Sequence, residues 1–199
     1  MERIKNKKVL IGGLVGIVVI IAVAIFMIMN SKNLVLKAEE VQVEFGENIS
    51  LEASTYLDEE KVDKDIIAKT TVTTDAPKQS NLSNNSVKDC PPVGEYTVTL
   101  KYSDETAEVK VKVVDTTKPK FTKYKDAVGV TKDCNPDMDR IVAEFQANDL
   151  SEVKITVDDS QVDYSKVGKY KATVKATDKY NNEETRELTF EIVEPTIEL

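Results

Sequence analysis

Two cysteines, a scatter of turn aspartates and one missing residue type define the chemistry open to this chain. Cys90 precedes Pro91-Pro92, and Cys134 precedes Asn135-Pro136. Histidine is absent, and no Cys-x-x-Cys pair occurs. Zinc therefore lacks its usual ligands, and Ser-His or Cys-His nucleophile pairs cannot be built. The usual general base near neutral pH is missing as well. Asp158-Asp159 and Asp178 offer hard oxygen donors of the kind that hold Ca²⁺, but their spacing matches no known loop for that ion. Turns rich in Asp are ordinary surface features, so neither a metal nor a cofactor is expected. Carboxylate chemistry needs a matched pair, and none stands out from 35 acidic residues. The expectation is a protein that is not an enzyme and has no small-molecule substrate.

Charge narrows the partners. The formal net charge is −8, and residues 1–8 (MERIKNKK) contribute +3, which leaves −11 on the remainder. An acidic body of that size repels phosphate backbones, so nucleic acid is not an expected partner.

The elements that would position these residues begin with an uncharged run. Residues 9–29 read VLIGGLVGIVVIIAVAIFMIM. About 20 apolar residues in a helix cross the hydrocarbon core, because a helix satisfies its own backbone groups where lipid cannot. The basic residues Arg3, Lys5, Lys7 and Lys8 precede it, which places 1–8 as a cytoplasmic stub and 9–29 as a single transmembrane signal anchor in the lipid bilayer. A cleaved secretory signal is the competing reading. Its apolar region would be shorter and would end in small residues, whereas this one ends Phe26-Met27-Ile28-Met29. On either reading the C-terminal part lies outside the membrane.

The rest of the chain repeats itself. "VGEYTVTLKYSD" at 93–104 returns as "VGKYKATVKATD" at 167–178, 74 residues later. Tyr96, Val98, Leu100 and Tyr102 alternate with Thr97, Thr99 and Lys101, and Val109, Val111 and Val113 alternate with Lys110 and Lys112. Period two with β-branched residues is the signature of strands with one buried face. Each copy reads as strand, tight turn, strand, with turns at Asp104-Glu105 and at Asp178 to Asn182. Further strands are expected at 41–45, 49–53, 68–74, 121–124 and 153–158. A short helix is expected after Asn135 as cap and Pro136 at its first position, with Met138, Ile141, Val142 and Phe145 as its apolar stripe. Many short strands in two similar sets indicate an all-β chain of two tandem β-sandwich domains, 34–115 and 119–194. Thr116-Thr117-Lys118-Pro119 is the joint.

At this level the chain resembles the bacterial immunoglobulin-like repeats of Gram-positive cell-surface proteins. The likeness rests on Val93-Gly94-x-Tyr96 and Val167-Gly168-x-Tyr170, on Asp178-x-x-Asn181-Asn182, on Val114-Asp115-Thr116-Thr117-Lys118-Pro119 and on Thr55-Tyr56-Leu57-Asp58. It implies immunoglobulin-like sandwiches in which Tyr96 and Tyr170 return their hydroxyls to nearby backbone, as a tyrosine corner does. Gly94 and Gly168 are then expected to let the chain turn sharply into the strand. An exported chain with two cysteines favours a bridge, and Cys90 and Cys134 are expected to pin the two domains together near the joint. Two separate thiols, or a bond between two chains, are the alternatives. The functional expectation is a single-pass membrane protein whose extracellular domains act as a non-enzymatic stalk, adhesion module or binder of cell-surface protein or polysaccharide. An envelope sensor or regulatory subunit working through a membrane partner is the other reading.

Overall fold

Where the apolar–polar alternation runs unbroken, the chain forms long strands. The computed structural model describes residues 33–78 and 90–195. The apolar run 9–29 lies outside the described residues, and among those described no helix is long and apolar enough to cross a membrane.

The first repeat copy is β3 (Gly94–Tyr102) and β4 (Glu105–Val114), antiparallel with Tyr102 opposite Glu105. The hairpin turn is therefore Ser103-Asp104, one residue earlier than expected, and Ser103 carries the positive φ of 55°. Val98, Leu100, Val109, Val111 and Val113 are sealed from solvent on one face. Burying each such side chain contributes about 1.5–3 kcal/mol. On one side β1 (Glu40–Glu44) runs parallel to β4, with Val43 opposite Val113. On the other, β2 (Thr71–Thr74) pairs antiparallel with β3, giving the order β1-β4-β3-β2.

The second copy repeats the plan. β9 (Gly168–Asp178) and β10 (Glu183–Val193) form the central hairpin. β6 (Ala127–Thr131) runs parallel to β10, and β8 (Val153–Asp158) flanks β9, giving β6-β10-β9-β8. Val174, Ala176, Leu188, Phe190 and Ile192 fill a core of its own.

Each sheet is covered by a thin second layer. In the second unit this is β5 (Lys120–Lys123) paired with β7 (Gln146–Asn148), which packs Phe121 onto the core. In the first unit a β-bridge, Leu36 opposite Leu57, takes that place. It is held by Lys37 N–H to the Tyr56 carbonyl and Asp58 N–H to the Val35 carbonyl, both 2.8 Å. The described part is thus all-β, with only three helices of four to six residues among the described residues: α1 (Ala53–Tyr56), α2 (Lys64–Lys69) and α3 (Met138–Val142).

Three local expectations fail for local reasons. Residues 49–53 are not a strand. Ile49 and Ala53 are buried in the first core while Leu51 between them is 58% exposed, so the alternating residues do not share one buried face. Instead the Tyr56 hydroxyl donates to the Ser50 carbonyl and Ser50 Oγ meets Thr55 Oγ1, local bonds that favour a turn of helix. The segment 68–74 is split, because Asp63 caps α2 through the Asp65 N–H and the helix runs to Lys69. α3 starts at Met138 with Asp137, not Asn135, as its cap, accepting from the Arg140 N–H at 3.1 Å. Pro136 lies before the cap. Ile141 and Phe145 of the expected stripe are buried in the second core.

Candidate functional site: the joint between the two units

β4 ends at Val114, and the next five residues carry the chain to β5. Glu44, the last residue of β1, clasps this segment with both carboxylate oxygens. Oε1 accepts from Thr116 N–H (2.8 Å), Thr117 N–H (3.1 Å) and Thr117 Oγ1 (2.9 Å), and Oε2 accepts from Thr116 Oγ1 (2.9 Å). The joint therefore has a defined path. The turn between β9 and β10 meets it from the other side. Tyr180 and Leu150 pack against the first core, and the Tyr180 ring stands edge-on to Phe45 at 5.8 Å. Asn182 Nδ2 donates to the Asp115 carbonyl at 3.0 Å.

Three carboxylates meet at this place. Asp115 follows β4, Asp149 follows β7 and Asp178 ends β9. One oxygen from each lies within 4.8 Å of the other two. Each has a local support. Asp178, only 5% exposed, accepts through Oδ1 from Tyr180 N–H (2.7 Å) and Asn182 N–H (2.9 Å), and through Oδ2 from Asn182 Nδ2 (2.8 Å). Asn181 supplies the positive φ of 69° that this turn needs and that Asn tolerates. Asp149 Oδ1 accepts from the N–H and Oγ of Ser151, each at 3.0 Å. Asp115 Oδ1 accepts from Thr117 N–H at 3.2 Å, but its Oδ2 is buried with no donor.

The electrostatics follow from the geometry. Burial, then the charges of Asp149 and Asp178, push the Asp115 carboxyl up to about 6, against the pull of the Thr117 N–H. Burial also raises the Tyr180 hydroxyl, with Asp115 and Asp178 adding to the effect. Among the described residues, the ion pairs made by Lys and Arg involve none of the three aspartates. Like charges this close need neutralising, by a proton held between them or by a hard cation. A groove of about 450 Å³ beside β6 and α3, lined by Lys125, Val128, Arg140 and Glu144 among others, lies apart from this cluster.

The residues singled out from the sequence fall elsewhere. Asp158 and Asp159 are not near Asp178. They lie at the opposite end of β8, where Asp158 accepts from Ser160 N–H and Asp159 from the Tyr164 hydroxyl. The Tyr96 hydroxyl donates to the Pro92 carbonyl at 2.9 Å, and the Tyr170 hydroxyl to the Lys166 carbonyl at 3.1 Å, the same four-residue return in both copies. The glycines before them serve a different purpose from the one expected. Neither has a positive φ. A Cβ on Gly94 would sit 3.1 Å from Tyr96 Oη, and one on Gly168 would sit 3.3 Å from Tyr170 Cε2. Glycine there leaves room for the ring to fold back.

The cysteine bridge is corrected outright. Cys90 is fully buried in the first core, Cys134 is exposed, and their sulfurs are not joined. β5 and β6 together carry the chain away from the joint. Lys132 N–H bonds the Val193 carbonyl at the end of β10, so Cys134 sits at the far end of the second unit. Asp115 and Asp149 are site residues that the sequence reading passed over. Asp115 stands directly before the Thr-Thr-Lys-Pro joint, which was a usable signal. Asp149 had none.

No protein-family model matches the chain, and no curated protein is similar to it. Among solved structures, the chain is similar to the human mucin-like protocadherin EC1-2 fragment, at 13% identity and a TM-score of 0.33, over 83% of this chain and 100% of that one. It is similar to human CDH23 EC21-23 at 18% identity and a TM-score of 0.31, over 81% and 69%. An endo-fucoidan hydrolase of glycoside hydrolase family 107 matches at 13% identity and a TM-score of 0.24, over 64% of this chain and only 24% of the hydrolase.

Proposed function

We propose that this chain is a membrane-anchored extracellular protein of the bacterial cell surface. Its tandem immunoglobulin-like domains, 34–115 and 119–194, act as a non-enzymatic stalk or adhesion module for a surface protein or polysaccharide. The observation that carries this reading is one β-unit built twice and joined end to end through a hydrogen-bonded, packed joint. Repetition with a defined joint suits reach and presentation. Two units with strands of about 10 residues extend on the order of 70 Å. The uncharged run 9–29 supplies the anchor, and the basic stub 1–8 stays on the cytoplasmic side. The acidic body keeps the projecting part soluble and away from anionic lipid.

Cys134 provides the test, because it is exposed at the end of the second unit remote from the joint. In intact cells producing the full chain, a membrane-impermeant maleimide labels it, and Cys134→Ser abolishes the signal. Labelling that appears only after lysis overturns the orientation and with it the proposed role.

A further inference from the structure

We propose that the flank of the second unit around Tyr124 and Arg186 binds an anionic polysaccharide whose sugars carry carboxylates, a polyuronate. The proposal names a ligand class for the surface role given above and rests on that reading for its setting. Residues 118–125 read KPKFTKYK, four lysines and no acid, in a chain whose net charge beyond residue 8 is −11. Beyond Arg3 the chain has two arginines, Arg140 and Arg186. The fold brings both to the basic segment, Arg186 over Tyr124 and Arg140 into a groove shared with Lys125.

Arg186 lies on the same face of β10 as Leu188 and Phe190, but it is exposed. Its guanidinium stands over the Tyr124 ring, 4.4 Å from the centroid, and 5.9 Å from the Phe121 centroid. Stacking fixes the plane of the guanidinium and leaves its N–H edge open. Among the described residues that edge makes no hydrogen bond or ion pair, even with Glu184 on the same strand face. A planar fork held this way matches a carboxylate through two parallel bonds. Tyr124 is itself 47% exposed, and an exposed ring with a polar tip suits the mixed apolar and polar face of a sugar.

Charge complementarity selects an anionic partner. Lys123 and Lys125 flank Tyr124, and both reach one carboxylate oxygen, Glu144 Oε2, at 3.5 and 3.1 Å. One acid cannot neutralise both, so positive charge is left over. Lys125 and Glu144 also line the groove of about 450 Å³ beside β6 and α3, together with Arg140. The groove's other acid, Asp137, is engaged as the cap of α3. The volume lies in the range of small-ligand pockets, about 300–1,000 Å³. Patch and groove share Lys125 and so form one track, which fits a polymer of charged sugars. Nucleic acid, with its denser charge, is repelled by the acidic body around the track.

The test uses the full chain in non-ionic detergent at low salt, with chelator so that no divalent ion bridges protein and polymer. Calorimetry measures binding to three soluble probes: alginate oligomers (sugar and carboxylate), dextran (sugar alone) and polyglutamate (carboxylate alone). The expected result is saturable alginate binding that weakens as salt is raised, no dextran binding, and polyglutamate binding that is several-fold weaker. Arg186→Gln weakens alginate binding by about tenfold. Tyr124→Ala weakens it too, and Tyr124→Phe, which restores the ring, rescues it. Glu144→Gln strengthens it, because the acid competing for Lys123 and Lys125 is gone, and a folding defect gives no such gain. Lys61→Gln, in the first unit, leaves it unchanged. Alginate binding that is absent, or that Arg186→Gln and Tyr124→Ala leave intact, overturns the proposal. So does dextran binding as tight as alginate binding, or equally tight polyglutamate binding, which makes the partner an acidic peptide. These outcomes are separate from the Cys134 labelling, which reads orientation in cells and needs no ligand.

Discussion

Replacing Asp115 by Asn should stabilise the protein in chelator at neutral pH. A part-buried carboxyl beside two others holds its negative charge at a cost, and its rise to about 6 reflects that cost. Moving a carboxyl from its ordinary value near 4 up to about 6 corresponds to about 3 kcal/mol between its two forms. Asp115 is only part-buried, so solvent screening reduces this to about 1 kcal/mol. The sign is set by the direction of the shift. A carboxyl raised on folding favours the folded state when protonated, and that contribution fades as pH rises through about 6. Asp58, Asp158 and Asp163 are shifted downward, by hydrogen bonds to Lys61, Ser160 and Lys166 respectively. Glu144 is shifted downward too, by its hydrogen bond with Lys125, and the contributions of these carboxyls begin to be lost only below about pH 5. The window from about pH 7 to pH 5 therefore isolates Asp115. In chelator the wild-type chain should gain stability on acidification through that window. Asp115→Asn should abolish the gain and raise the neutral-pH melting temperature by about 3 °C, as about 1 kcal/mol does at this size. Asn keeps the Oδ1 that accepts from Thr117 N–H, so the substitution removes charge and little else. Thermal melts at several pH values measure it. A variant less stable than wild type at neutral pH, or a wild type that loses stability towards pH 5, refutes the reasoning.

Other perturbations have equally definite outcomes. Tyr96→Phe and Tyr170→Phe each remove one side-chain-to-carbonyl bond and should each cost about 1 kcal/mol in denaturant melts. Phe190→Ala empties a fully buried site that Tyr164 also lines and should cost about 3–5 kcal/mol. Glu44→Ala removes the acceptor of the Thr116 amide, while the Thr117 amide keeps its bond to Asp115 Oδ1, so hydrogen exchange should rise at Thr116 while the strand interiors stay protected. A thiol reagent should modify Cys134 in the folded protein and Cys90 only after denaturation, because one is exposed and the other sealed.

The hairpins were legible because their signal is local. Period two with valine and threonine encodes a half-buried strand residue by residue, and the 74-residue offset announced the duplication. The same period misled at 49–53, where Leu51 faces solvent. Alternation reports a face but not what lies against it. β6 escaped notice because only Val130 in it is buried, and β7 because three residues carry no period. The carboxylate cluster is a property of three dimensions. Asp115, Asp149 and Asp178 are brought together by strand ends from both units, which no spacing rule encodes. The cysteines stand apart for a related reason: nearness to the joint in sequence is not nearness in space, and β5 and β6 carry Cys134 a full strand length away.

The central claim is that two joined β-units project outward from an N-terminal membrane anchor. Protease shaving of intact cells carrying the full chain tests it most directly. The account expects a soluble fragment, strand-rich by circular dichroism, to be released while the apolar N-terminal segment stays with the membrane. A chain that survives shaving and is cut only once the cells are broken contradicts it.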